Sequence, residues 1–171
     1  LPLDLAALNM ARARSEGIPP LNQVRRQIHD RTNDAQVVPY DNWVDFGQAL
    51  KYPESLVNFV AAYGRHPLVT VETTIEGRRR AADQIVNGTV LPGPDGVLAD
   101  DPLTACDPGE TNVPVGCDES LDDVVPPADA ADFMFSTGAF ANSGTSSITG
   151  VDDIDLWIGG LAERQMPFGG L

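Results

Sequence analysis

The chain is predicted to be mainly α-helical, and three features of its 171 residues carry that expectation. Apolar side chains recur at helical spacing, most plainly at Leu56, Val57, Phe59, Val60 and Tyr63, and again at Ile154, Trp157, Ile158 and Leu161. Glycine and proline stop signals follow such stretches, as in Gly17-Ile18-Pro19-Pro20 and at Gly64. Hydrophobic residues make up 42% of the chain, a globular proportion, while sixteen glycines and fourteen prolines predict much loop beside the helices.

Residues 3 to 14 read as the first helix. Asp4 suits its positive N-terminal end, and Leu5, Leu8 and the alanines give an apolar stripe. A second helix starts near Pro20 and carries Leu21, Val24, Arg25 and Ile28. Asp41 is a good N-cap for a short helix holding Trp43, Val44, Phe46 and Leu50. Pro53 opens a stronger helix that presents the Leu56 to Tyr63 face to a core and ends at Gly64. Residues 67 to 75 alternate β-branched and polar types, which suits a strand or a helix lead-in equally. A helix from Thr74 to Val86 follows, and its Arg78-Arg79-Arg80 triplet reads as a solvated face.

Residues 88 to 130 lose all periodicity, and Gly, Pro and Asp dominate. A long irregular loop is expected there. Its acids do not follow the spacing of a calcium-binding EF-hand loop. Phe133, Met134, Phe135 and Phe140 return to a core, and residues 142 to 150 form a polar connector. Asp152 or Asp153 then caps the last helix. Its Gly159-Gly160 pair costs roughly 1 kcal/mol per glycine in a helix interior, which predicts close packing there or the end of the helix.

Eleven Lys and Arg against twenty-five Asp and Glu leave a net charge of −14. So acidic a surface repels phosphate backbones and anionic lipid, which argues against nucleic-acid and membrane partners. No apolar run approaches the roughly 18 to 20 residues of a membrane span. The chain opens on Leu1-Pro2, which reads as a processed, trimmed or incomplete start. Cys106 and Cys117 lie in the Asp/Pro/Gly-rich stretch, without zinc or CxxC redox spacing. They are candidates for a small-loop disulfide worth up to about 3 kcal/mol, with two free thiols as the other reading. A disulfide and an acidic surface both suit a secreted, extracellular protein.

One polar pair stands out on the first helix. Asn9 and Arg12 are three residues apart and project from one side. An asparagine amide on a packed helix needs a partner, and one use is to accept a hydrogen bond from a metal-ligating imidazole. A guanidinium suits a carboxylate such as a haem propionate. A helical Asn-x-x-Arg also occurs as a purely structural polar pair. His29 and His66 read as surface histidines, and no Ser/His/Asp or phosphate-loop motif is present.

The stretch from Leu8 to Asn22 resembles a motif of the animal-type haem peroxidase superfamily, including its bacterial, peroxinectin-like members. Leu8-Asn9, Arg12, Arg14, Gly17, Pro19 and Asn22 match the family pattern; Ser15, Glu16 and Leu21 depart from its commoner Asp, His and Tyr. Tyr63-Gly64 and the segment from Val151 to Glu163, with its Asp-Ile-Asp-Leu-Trp-Ile-Gly-Gly core, are similar to the family's next landmarks. Those are near neighbours in most members, whereas about 86 residues separate them here.

The resemblance implies the C-terminal portion of a peroxidase-like helical domain with a long irregular insertion. Residues 1–64 would hold the haem-proximal helices, 65–150 the insertion, and 151–171 a domain helix continuing beyond the chain end. It implies a haem cofactor whose ligand histidine lies outside this chain, with calcium held elsewhere in the parent protein. Asn9, the catalytic candidate, would then bond the proximal histidine, and Asn9 and Arg12 would be the cofactor-binding pair. The implied activity is oxidation of halide or small aromatic donors with hydrogen peroxide. The implied partner is the remainder of the peroxidase polypeptide, or a separate chain that completes the helical core. A non-catalytic extracellular adhesion or interaction module on the same scaffold is the alternative.

Overall fold

The computed structural model describes residues 4–88, 126–144 and 146–165. Among them are eight α-helices and no strand, so the mainly α expectation is met. The helices are α1 (Leu5–Ser15), α2 (Leu21–Thr32), α3 (Trp43–Ala49), α4 (Leu56–Tyr63), α5 (Pro67–Thr70), α6 (Ile75–Asn87), α7 (Ala130–Phe135) and α8 (Leu156–Ala162). Single 3-10 turns at Ala35–Val37, Pro53–Ser55, Gly138–Phe140 and Val151–Asp153 join them. Cys106 and Cys117 lie outside the described residues, as does most of the irregular stretch.

Local chemistry explains the helix ends. The Asp4 carboxylate accepts from the Ala7 N–H at 3.0 Å and starts α1. Gly17, at φ +72°, stops it: its N–H donates to Arg14 O while the Ile18 N–H reaches back to Ala13 O, satisfying carbonyls the helix leaves open. Thr74 caps α6 through the Gly77 N–H, and Gly88 in the left-handed region ends it. Residues 67 to 75 resolve into the short α5, opened by Pro67, and a turn into α6.

Several expectations need correction. The N-cap of α3 is Asn42, which accepts from the Asp45 N–H, rather than Asp41. Asp152 and Asp153 do not cap α8; they sit in the preceding 3-10 turn, and Asp155 takes the N-cap position. Arg78 is half-buried, and its guanidinium donates to Ala61 O at 2.7 Å and Ala62 O at 3.4 Å. It thereby closes the C-terminal carbonyls of α4, a use that a cation at a helix C-terminus serves well. Phe135 is exposed instead of buried. His66 is only 2% exposed, not a surface residue. Its ring lies between Phe133 and Phe140, with Nδ1 accepting from the Leu68 N–H and Nε2 facing the Asp129 carboxylate at 3.2 Å.

The core gathers side chains from nearly every element. Trp43, Phe46 and Leu50 of the α3 region meet Val60, Val69, Ala82, Phe133, Val151 and Ile154, all essentially inaccessible to water. Burying a side chain of this size contributes about 1.5–3 kcal/mol. Edge-on ring pairs at 4.9 to 6.2 Å link Tyr40, Trp43 and Phe59 to Phe46. Residues 67–87 and 130–140 thus contribute to the same core as the first sixty. The α8 segment closes the assembly: Lys51 N–H donates to Ala162 O and Arg164 N–H to Ala49 O, both at 2.8 Å.

Gly159 shows why a glycine belongs inside α8. A Cβ there would stand 2.7 Å from Leu21 Cδ2 and 2.8 Å from Ile154 Cγ2. The helix approaches the start of α2 that closely, and the Leu21 N–H donates to Ile154 O at 2.8 Å. The predicted close packing is present, against side chains, and the helix ends three residues later.

Candidate functional site

The candidate site is built on α1 and on the polar contacts that join it to the α8 segment. Asn9 is half-buried and Arg12 is exposed. No residue of α1 is buried, so the expected apolar stripe does not enter the core, and Leu5 is 63% exposed. Among the described residues, neither the Asn9 amide nor the Arg12 guanidinium has a hydrogen-bond or ion-pair partner. The Arg12 carbonyl accepts from Ser15 Oγ and from the Glu16 N–H.

The neighbouring Arg14 behaves differently. Its Nε donates to Asp155 Oδ1 at 2.8 Å and its Nη2 to Asp155 Oδ2 at 2.5 Å. The Tyr63 hydroxyl donates to the same Oδ2 at 2.7 Å. Two donors side by side on a planar guanidinium fit a carboxylate, and the phenol adds a third bond. Hydrogen bonds from Arg14 and then Tyr63 hold the Asp155 carboxyl below the ordinary aspartate range, against a burial effect of opposite sign. The guanidinium pKa is raised in turn by its bond to Asp155. Burial first, then the bond to Asp155, pushes the Tyr63 hydroxyl up to about 12.

Two further contacts run in parallel. Asn22, fully buried, donates through Nδ2 to Tyr40 O at 2.8 Å and to Asp152 Oδ1 at 2.7 Å, and its Oδ1 accepts from the Tyr40 N–H. Asp152 also accepts from the Ser147 N–H. Arg25 donates to Glu163 Oε1 at 2.8 Å and to the carbonyls of Val38 and Gln36. The Tyr40 hydroxyl completes the group by donating to Glu163 Oε1 at 2.7 Å. Burial, followed by that bond, raises the Tyr40 pKa.

The residues 8–22 motif, the Tyr63-Gly64 pair and the 151–163 segment are therefore brought together in space. Arg14, Tyr63 and Asp155 form one link, Asn22 and Asp152 a second, and Arg25 and Glu163 a third. Sequence reading quoted most of these residues without giving them a task, because sequence spacing carries no signal for pairings that span 92 to 141 residues.

Asn9 offers an amide oxygen and Arg12 a cation, both without side-chain partners among the described residues. Among the described residues no three His, Cys, Asp or Glu side chains cluster in a metal-holding group. His29 is turned to Asp34 O at 2.9 Å, and His66 is enclosed by phenylalanines. No helix among the described residues is long and apolar enough to cross a membrane. Comparison with protein-family models, curated proteins and solved structures finds no match for the chain.

Proposed function

We propose that this chain is part of a secreted haem peroxidase and supplies the side of the pocket behind the iron. One observation carries the reading. Three motif segments far apart in sequence meet through Arg14, Tyr63 and Asp155, while the side chains of Asn9 and Arg12, on the same helix as Arg14, have no partner among the described residues. The Asn9 amide oxygen would accept the distal N–H of an axial imidazole supplied from outside this chain. That bond fixes the tautomer and raises the basicity of the ligand. The Arg12 guanidinium would pair with a propionate at the cofactor's edge. Haem bound there would supply ferric iron for reaction with hydrogen peroxide and oxidising power for halide or small aromatic donors.

The test is made on the polypeptide that carries this chain together with its histidine-bearing partner segment. Haem titration should give a saturable Soret band, and Asn9→Ala should shift the iron reduction potential without changing haem stoichiometry. A polypeptide that takes up no haem would overturn the proposal and favour a non-catalytic extracellular adhesion module.

A further inference from the structure

The geometry points to Asp155 as the positioning residue that sets α1, and with it Asn9 and Arg12, in place. This inference deepens the haem reading and rests on it for its consequence at the iron, though not for the mechanical link itself.

Four observations converge. First, α1 has no buried residue, so hydrophobic burial does not define its location as it does for α3, α4 or α7. Second, Arg14–Asp155 is the one side-chain hydrogen-bonded link between α1 and the rest of the described residues. It is bidentate, so it fixes direction as well as distance. Third, the acceptor end is rigid. Asp155 is nine-tenths buried, and its carboxylate is held from the other side by Tyr63 of α4. Fourth, Asp155 stands at the N-cap position of α8, yet its side chain makes no cap bond to that helix. An aspartate there ordinarily turns to its own helix N–H groups. Here the carboxylate is directed to α1 instead.

Asn9 and Arg14 share α1 at a separation of five residues, so a tilt of that helix about its Arg14 end displaces the Asn9 amide. Hydrogen bonds lose strength steeply as their angle departs from linearity. Loosening Asp155 should therefore act at the axial ligand through Asn9, although Asp155 itself touches no cofactor.

The experiment has two readouts. In this chain, Asp155→Asn should raise hydrogen exchange of the α1 amides at least tenfold while α4 and α6 keep their protection. Unchanged exchange in α1 would overturn the link. Should Asp155→Asn fail to fold, Arg14→Gln, made at a side chain 64% exposed, reads the same contact from its free side. In the haem-bearing polypeptide, Asp155→Asn and Arg14→Gln should move the iron potential in the same direction as Asn9→Ala, and Arg14→Lys should move it less than Arg14→Gln does. If α1 loosens and neither Asn9→Ala nor Asp155→Asn moves the potential, the link stands and the haem reading falls. If Asn9→Ala moves it and Asp155→Asn does not, the positioning role falls alone.

Discussion

Arg25 of α2 and Glu163, just past α8, face each other at 2.8 Å with side chains only 8% and 10% exposed. The guanidinium also lies 4.3 Å from the centre of the Tyr40 ring, and its Nε and Nη2 donate to the carbonyls of Val38 and Gln36. A pair this well enclosed costs desolvation on both sides, so its loss is asymmetric. Glu163→Ala leaves a buried, unpaired cation and should destabilise the chain by about 3–5 kcal/mol in urea unfolding. The double change Arg25→Met with Glu163→Leu should recover most of that loss; additivity of the two single effects would refute the pairing.

The Asp155 link sets an acid limit. Its folded-state pKa is depressed, so its contribution is complete above the ordinary aspartate value near 3.8 and is lost as pH falls through the lower folded value. Wild type should exceed Asp155→Asn in stability at neutral pH, and the two should converge only in strongly acidic buffer. Parallel pH curves would count against the link. At the alkaline end the sign reverses. Tyr63, raised to about 12, contributes below pH 10 and loses its contribution as pH climbs through the raised value. Tyr63→Phe should remove that alkaline step.

Gly159→Ala sets two effects against each other. Alanine is the better helix former by about 1 kcal/mol. The added methyl meets Leu21 Cδ2 at 2.7 Å, and overpacking of this kind costs about 1–3 kcal/mol. Thermal unfolding should show a net loss; a raised midpoint would mean that Leu21 moves aside freely.

His66 and Asp129 should separate in the same assay. His66→Ala empties a ring-lined space and removes the acceptor for the Leu68 N–H, so a loss of about 3 kcal/mol or more is expected. Asp129, half exposed, contributes through one edge of the ring, and Asp129→Ala should cost under about 1 kcal/mol. Equal effects would contradict this division.

Asn9→Ala and Arg12→Gln should each leave folding stability within about 0.5 kcal/mol of wild type, because neither side chain has a partner inside the described structure. A large loss in urea unfolding would return both residues to a purely structural role.

Helix positions were legible in the sequence wherever a local signal decides them: Asp4 and Gly17 around α1, Pro20 before α2, Thr74 at the start of α6. Positions settled by distant partners were not. His66 precedes a proline and looks like a loop residue until Phe133 and Phe140 arrive from some seventy residues away. Arg78 sits in a basic triplet, and only the end of α4 gives it a task. At the candidate site, helical spacing placed Asn9 and Arg12 side by side. It could not show that α1 stays unburied, because that depends on how far α2 and α8 leave it from the core.

The bond between Arg14 and Asp155 joins residues 141 positions apart. Closing so long a loop carries an entropic cost that local contacts do not share. During synthesis α1 leaves the ribosome well before the Asp155 carboxylate it docks on. Helices α4 and α6 pack on each other, close in sequence, and can assemble in the interval. α1 thus waits for its anchor, and the two candidate side chains it carries are set only after Asp155 has been made.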